Sequence, residues 1–266
     1  MDDSSAFALS TDQPVPAHHG PHAAADDLLE VYENSMAPVR SEFACHPAVI
    51  ALFESPMEPV AMEAFLISFA TLGVQMTEPV EGWIRRAGER CGELGLVQLA
   101  KALQSHARQE ADHHLLMIAD ASQLVDRWNR KHQPLLTVST LLAAPASPGV
   151  TAYRLLHEDV ISGPAPYAQL GIEYEIEMLS VTYGPRLIAR AIDLLGEPVL
   201  ENLSFLRDHV ALDVGHTNFN RAQLSRVLKE EPGFLPGLIA AASAALRAYA
   251  VFLHDCLGFV RDPEVE

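Results

Sequence analysis

The sequence has little positive charge and few cysteines. Lysine and arginine together number 18 against 35 aspartates and glutamates, which gives a net charge of −17 in 266 residues. A chain this acidic lacks the basic face that nucleic acids and anionic membranes attract, so neither is an expected partner. The three cysteines form no Cys-x-x-Cys pair and provide no disulfide framework, which is typical of proteins in the reducing cytosol.

Features of an export signal are also missing. The first basic residue is Arg40, so the positively charged start of a secretory signal is absent. Residues 1–24 contain several prolines and histidines but few large apolar side chains, and we predict a flexible tail there. Residues 235–260 are the most apolar stretch, but they include Arg247, His254 and Asp255 and are interpreted as a buried amphipathic helix. We therefore expect a cytoplasmic protein.

The rest of the chain has helical periodicity and no alternating strand pattern. We predict one all-α domain over residues 25–266, a bundle of about seven helices separated by prolines and glycines. The predicted helices cover residues 26–45, 48–54, 58–90, 96–129, 150–161, 167–195, 198–229 and 235 onward. Pro38 is expected to interrupt the first of them and Pro79 to kink the third, because proline lacks the amide proton of a helical hydrogen bond.

Two of these helices carry a stripe that is apolar at its start and polar further on. The first stripe has spacings of three and four residues and consists of Leu96, Leu99, Leu103, His106, Glu110, His113 and Met117. The second consists of Leu206, His209, Asp213 and His216. Polar groups on a core-facing stripe are costly unless they bind one another or a metal ion.

Both stripes contain the pattern His-x3-acid-x2-His. A random chain of this composition is expected to contain about 0.07 copies of it, whereas the present chain contains two. Paired carboxylate-x-x-His motifs are typical of a dinuclear metal site in a helical bundle, in which two other helices each add a glutamate. A set of oxygen and nitrogen ligands suits two iron or manganese ions better than tetrahedral zinc.

The two additional glutamates are less well defined by the sequence. On the helix before the first motif, Glu78 and Glu81 share a face, and Glu81 is preferred narrowly although it follows the Pro79 kink. On the helix before the second motif, the candidates are Glu173, Glu175 and Glu177.

This set of residues resembles the haem-oxygenase-like diiron oxidases and oxygenases. The match covers about residues 60–225, and its specific part is His209-x3-Asp213-x2-His216. The resemblance favours Glu177, which lies 32 residues before His209, near the spacing typical of the family. It implies a haem-oxygenase-like bundle that binds two iron ions, with manganese less favoured, through Glu81, Glu110, His113, Glu177, His209, Asp213 and His216.

The resemblance also implies an activity, namely dioxygen-dependent oxidation of a small metabolite in a biosynthetic pathway. An amino acid or its derivative is the preferred substrate, to be desaturated, cleaved at a C–C bond or N-oxygenated, because His106 and Tyr174 offer hydrogen-bond partners near the metals. Oxidative decarboxylation of a fatty acid is the alternative. We expect a small molecule and dioxygen as partners, no nucleic acid or membrane, and we allow for a homodimer.

Three other readings stay open at this point. The polar stripes would form an ion-pair network in a metal-free core, or a metal-binding bundle without catalysis. A metal-free hydrolase like the thiamine-salvage proteins would need a cysteine near the pocket, and Cys45, Cys91 and Cys256 lie off the two stripes. His106 is treated either as a pocket group or alternative ligand, or as a core histidine.

Overall fold

The computed structural model describes residues 21–258, with side chains from residue 28 onward. These residues contain eleven α-helices and no strand, which confirms the all-α prediction. The helices are α1 (Pro21–Ala44), α2 (Pro47–Phe53), α3 (Pro59–Thr77), α4 (Val80–Glu93), α5 (Val97–Gln109), α6 (His114–Asn129), α7 (Val138–Leu142), α8 (Pro148–Ser162), α9 (Gln169–Leu195), α10 (Ser204–Glu230) and α11 (Leu235–Gly258). Short 3-10 helices, Pro166–Ala168, Glu197–Asn202 and Pro232–Phe234, precede the last three.

The helices outnumber the prediction mainly because two long predicted helices are each divided. The predicted helix 58–90 is split into α3 and α4 at Pro79, and the predicted helix 96–129 into α5 and α6. In the second case the break is caused by Asp112, which has a φ of 66° and cannot continue a right-handed helix. The expected interruption at Pro38 was wrong, because α1 continues through this residue.

The predicted boundaries of the helices agree with the structure in part. Of the predicted tail, residues 1–20 lie outside the described residues, whereas residues 21–24 form the start of α1. The segment between the predicted helices 96–129 and 150–161 contains the short helix α7. The predicted end of α9 is confirmed at Gly196, whose φ of 81° is the left-handed conformation that glycine adopts easily after a helix.

The bundle is built around α3 and α11. α3 is buried along most of its length and packs on α6 and α11, and α11 also packs on α8 and α9. Two stretches, Pro59–Glu93 and Pro232–Gly258, are long and apolar enough to cross a membrane by length and composition alone. Of their most apolar windows, 78% and 44% are buried inside the protein, so the first stretch is better explained as a core helix. α9 and α10 pack along each other beside this core and carry four of the seven predicted metal ligands.

Candidate metal centre

The first half of the site lies at the break between α5 and α6. α5 ends at Gln109 and α6 begins at His114, with Asp112 in the left-handed conformation between them. Aspartate tolerates this conformation better than most residues, because its short polar side chain can bond the local backbone. The break keeps Glu110 and His113 on one turn, with Glu110 Oε2 3.0 Å from His113 Nδ1.

The second half of the site lies on α10, whose start is fixed by Asp120. The Asp120 carboxylate accepts hydrogen bonds from the backbone N–H groups of Ser204 and Phe205, each at 2.9 Å. A negative charge at this end of a helix is favourable because it meets unpaired N–H groups and the positive end of the helix dipole. One turn later, His209 Nδ1 lies 3.0 Å from the Phe205 carbonyl oxygen, which assigns the proton to Nδ1 and leaves Nε2 for a metal ion.

Side chains from α5, the α5–α6 break, α9 and α10 converge at one place. Within this set, His106 Nε2 lies 2.9 Å from Glu177 Oε1 and 3.4 Å from Glu110 Oε1. His216 Nδ1 lies 3.3 Å from the same Glu110 oxygen and 3.4 Å from Asp213 Oδ1. The complete set is His106, Glu110, His113, Glu177, His209, Asp213 and His216.

The converging side chains form two groups that share one carboxylate. In the inner group, the ligating atoms lie within 4.8 Å of one another, and the members are His106, Glu110, Glu177 and His216. In the outer group, the same limit holds for Glu110, His113 and His209. Glu110 faces the inner histidines with Oε1 and His113 with Oε2. This is the geometry of a carboxylate that bridges two metal ions.

Several atoms of the inner group are buried without a hydrogen-bond partner. They are both ring nitrogens of His106, Nδ1 of His216 and Oε1 of Glu177. The short distances between them do not have hydrogen-bond geometry. An unsatisfied buried polar atom costs about 1–3 kcal/mol. Ion pairing of His106 and His216 with the carboxylates offsets part of this cost, but it leaves Nδ1 of His106 without a partner. A bound cation would satisfy these atoms together, and the residues present therefore fit a metal ion.

Charge within the metal-free group is shared between carboxylates and imidazoles. Burial lowers the pKa of His106, but the carboxylates of Glu110 and Glu177 outweigh it and hold this pKa well above its usual value. Asp213 and Glu110 raise the pKa of His216 to about 9. Burial lowers the pKa of His209. Metal binding must displace the protons on the first two imidazoles, so metal affinity is expected to rise with pH.

A cavity of about 140 Å³ lies against the outer group. Of the converging side chains, the cavity is lined by Glu110, His113, Glu177, His209 and Asp213, whereas His106 and His216 do not line it. Its other walls are mostly apolar and come from α1, α2, α3, α9 and α11; they include Phe43, Leu52, Phe69, Met76, Leu187 and Phe252. No lysine or arginine lines it among the described residues. An apolar cavity of roughly this size holds a molecule as large as benzene.

Two polar contacts of α9 were not predicted from the sequence. Asn220 Nδ2 donates a hydrogen bond of 2.7 Å to Glu177 Oε2 and so fixes the orientation of this carboxylate. Asn220 follows His216 by four residues, and an extended stripe on α10 would have indicated it. Glu173, one turn before Glu177, lines the cavity and accepts a hydrogen bond from Gln169. Burial raises the pKa of Glu173 to about 8.

Three residues of the predicted site do not join the converging set. Glu78 is exposed, and Glu81 lies 3.2 Å from Arg85, with which it forms an ion pair at the surface. α3 ends at Thr77 and a new helix begins at Val80. The prediction of Glu81 assumed one continuous helix, and the helical phase of α3 does not extend to this residue. Tyr174 does not line the cavity either, because it points toward α1, where its hydroxyl donates a hydrogen bond of 2.7 Å to Glu33. Glu175 pairs with Arg40 instead of facing the metal-ligating set.

Replacing Glu81 with Ala is expected to leave metal binding unchanged. The side chain contacts solvent and Arg85, and exposed ion pairs of this kind contribute only about 0–1 kcal/mol to stability. Metal content after anaerobic loading with Fe(II) and the thermal midpoint measure the two effects. A loss of one metal ion per chain in this variant would return Glu81 to the ligand set.

Comparisons with known proteins agree on the fold. No protein-family model and no curated protein sequence matches the chain. Among solved structures, a domain of unknown function from Shewanella denitrificans, described as having a haem-oxygenase-like fold, matches with a TM-score of 0.71 and 16% identity over 88% of this chain and 94% of that one. The chain has a haem-oxygenase-like fold.

A second solved structure supports the same fold assignment. A TenA homologue from Pseudomonas syringae matches with a TM-score of 0.65 and 15% identity, over 89% of this chain and 96% of that one. The haem-oxygenase-like fold predicted from the two stripe motifs is therefore confirmed. Because identity is low and one fold hosts many activities, the function has to be inferred from the site itself.

Proposed function

We propose that this protein is an oxidoreductase that holds two iron ions and uses dioxygen to oxidise a small molecule in the cytoplasm. The observation that carries the proposal is the position of Glu110, whose carboxylate belongs to both groups of metal-ligating side chains. A carboxylate shared by two groups of ligating side chains inside a helical bundle is typical of sites that hold a pair of metal ions.

The donor set favours iron, with manganese second. It contains carboxylates and imidazoles, whereas thiolates are absent from both groups. Such hard to borderline ligands suit octahedral divalent iron or manganese better than tetrahedral zinc. Two iron ions, when bound together, supply electrons to dioxygen that a single ion supplies less easily. The protein would contribute the shared carboxylate of Glu110, the imidazoles and a mostly apolar cavity beside them.

The cavity favours the aliphatic alternative over the amino acid predicted from the sequence. A substrate carboxylate finds no lysine or arginine among the lining residues, so the bound metal ions are the available positive charge. An α-ammonium group would find Glu173, but the pKa of about 8 keeps this carboxyl mostly neutral at pH 7. The other lining carboxylates, Glu110, Glu177 and Asp213, belong to the converging set and would be engaged by the metal ions. A buried ammonium group without a negative partner is costly. We therefore propose an acid with an apolar body as the substrate class.

The metal-free hydrolase is less well supported. A cysteine nucleophile would have to reach the cavity, and no cysteine lines it within residues 28–258. Cys91 and Cys256 are buried, and burial raises the pKa of Cys91 to about 12, which disfavours the reactive thiolate. A non-catalytic metal-binding bundle does not explain why one face of the ligand set lines an apolar cavity.

The proposal is tested by loading the protein anaerobically with Fe(II) and measuring dioxygen uptake with matched acids. We expect about two iron ions per chain. We also expect hexanoate or octanoate to accelerate dioxygen uptake, and norleucine, which adds only an α-ammonium group to hexanoate, to have a smaller effect. His114→Ala serves as the control variant, because His114 neighbours the site without belonging to either group.

The outcomes separate the alternatives. One metal ion per chain, or selective retention of zinc, would contradict the dinuclear site. Faster uptake with norleucine than with hexanoate would restore the amino-acid substrate class and leave the oxidase proposal intact. Two bound iron ions without dioxygen uptake under any of these acids would favour a metal-binding bundle.

A further inference from the structure

The two metal-ligating groups differ in how many side chains they offer. The inner group has four members, from α5, the α5–α6 break, α9 and α10, whereas the outer group has three. The additional member of the inner group is His106, which stands four residues before the shared Glu110. A histidine at this place on α5 gives the inner position two imidazoles and two carboxylates.

The burial and surroundings of His106 are those expected of a metal ligand. Its side chain is 1% exposed, and neither ring nitrogen has a hydrogen-bond partner. Its Nε2 lies 2.9 Å from Glu177 Oε1, an atom that is itself buried and unpartnered. Both atoms point at the same small space, which His216 Nδ1 also faces.

The outer group differs from the inner one in its surroundings. His113 and His209 line the cavity, whereas His106 and His216 do not. The part of α3 and α4 that faces the same cavity provides Gly73, Met76, Thr77 and Val80, none of which is a carboxylate. The outer group therefore offers three side chains, on the side that faces the cavity; Asp213, which also lines the cavity, belongs to neither group.

We infer that His106 is a metal ligand, and that it makes the inner position the tighter of two unequal metal sites. The inner metal ion has four protein donors, two of which, His106 and His216, lie away from the cavity, so it is held firmly. The outer metal ion, with three donors and an open side, binds more weakly and is the one that small molecules in the cavity reach, as in catalytic metal sites that keep an open position. This inference rests on the proposed two-metal function and adds the order in which the sites fill.

Anaerobic titration with Mn(II) tests the inference. We expect the wild-type protein to bind two ions in two separate phases, seen by calorimetry and by loss of the free Mn(II) electron-spin-resonance signal. His106→Ala should weaken the first phase by more than about 100-fold, since even loss of a group that only supports a ligand costs about 10–100-fold in metal affinity. His113→Ala should remove the second phase and retain the first.

A spectroscopic measurement identifies the ligand directly. With one equivalent of Mn(II), electron-spin-echo spectra of the wild-type protein should contain couplings to imidazole nitrogen that decrease in His106→Ala and persist in His113→Ala. His114→Ala provides the matched control, and circular dichroism verifies that each variant is folded. His106→Gln, which keeps most of the side-chain volume, replaces the alanine variant if that one does not fold.

The outcomes for this inference and for the proposed function are distinct. Two equal sites in the wild-type protein, or an unchanged first phase in folded His106 variants, would overturn the inference and leave the dinuclear site in place. A wild-type protein that binds neither Mn(II) nor Fe(II) would overturn both.

Discussion

Glu110→Ala is expected to abolish binding at both metal positions, whereas loss of any other single ligand affects mainly one. Oε1 of this carboxylate faces His106 and His216, at 3.4 and 3.3 Å, and Oε2 lies 3.0 Å from His113. We expect metal affinity to fall by more than about 100-fold at both positions. Dioxygen uptake should fall to the level of the metal-free protein. Metal content after anaerobic loading and gel filtration measures the first effect.

Glu177→Ala is the matched comparison for this variant. Glu177 belongs to the inner group only, so its loss should weaken one position and leave His113, His209 and Glu110 able to bind an ion. Retention of one ion with unchanged affinity in Glu110→Ala would show that the carboxylate does not bridge. Circular dichroism distinguishes loss of metal from loss of the fold.

The part of the site on α10 could be predicted from the sequence because α10 is a regular helix throughout. His209, Asp213 and His216 lie on one face of Ser204–Glu230, and the spacing of four and three residues specifies that face. The stripe pattern was therefore sufficient to bring these three side chains together. The fold followed from the same motifs, because the haem-oxygenase-like bundle was expected from their order along the chain.

The α5–α6 region shows what spacing cannot predict. The stripe was interpreted as one continuous helix, but the chain leaves the helix at Glu110 and re-enters it at His114. The cause is the φ of 66° at Asp112, a backbone conformation that the hydrophobic pattern does not encode. His106 and Glu110 share the last turn of α5, which brings His106 into the inner group. The sequence placed His106 on the stripe, but it left open whether this histidine is a pocket group or alternative ligand, or a core residue.

The carboxylate expected before the first motif depended on a helical phase that does not persist. α3 stops at Thr77 and α4 starts at Val80, so Glu81 belongs to a different helix from the stripe used to select it. Tyr174 was expected near the metals, and it lies one turn before Glu177 on the same helix. Tyr174 instead faces α1, where Glu33 accepts its hydrogen bond. Contacts between helices decide such cases.

Glu173 makes the stability of the metal-free protein depend on pH. The Glu173 side chain is buried beside the cavity, and this burial raises its pKa from 4.5 to about 8. Between these two pH values the folded chain therefore binds more protons than the unfolded chain. The stabilising effect of the bound proton is fully present below pH 4.5 and is lost as the pH rises toward 8 and beyond.

Glu173→Gln is expected to stabilise the metal-free protein at high pH and to have little effect at low pH. Glutamine resembles the protonated carboxyl in shape and carries no charge, and its carbonyl oxygen can still accept the hydrogen bond from Gln169. Above pH 8 the gain in unfolding free energy should be on the order of a few kcal/mol. Urea unfolding of both proteins in chelator at pH 5 and pH 9 measures it. Glu175→Gln, two residues on, is the control with the opposite sign, because it removes one of the two carboxylates, those of Glu33 and Glu175, that lie 2.7 Å from Arg40. A difference between Glu173→Gln and the wild-type protein that is the same at both pH values would mean that Glu173 is ionised in the folded chain.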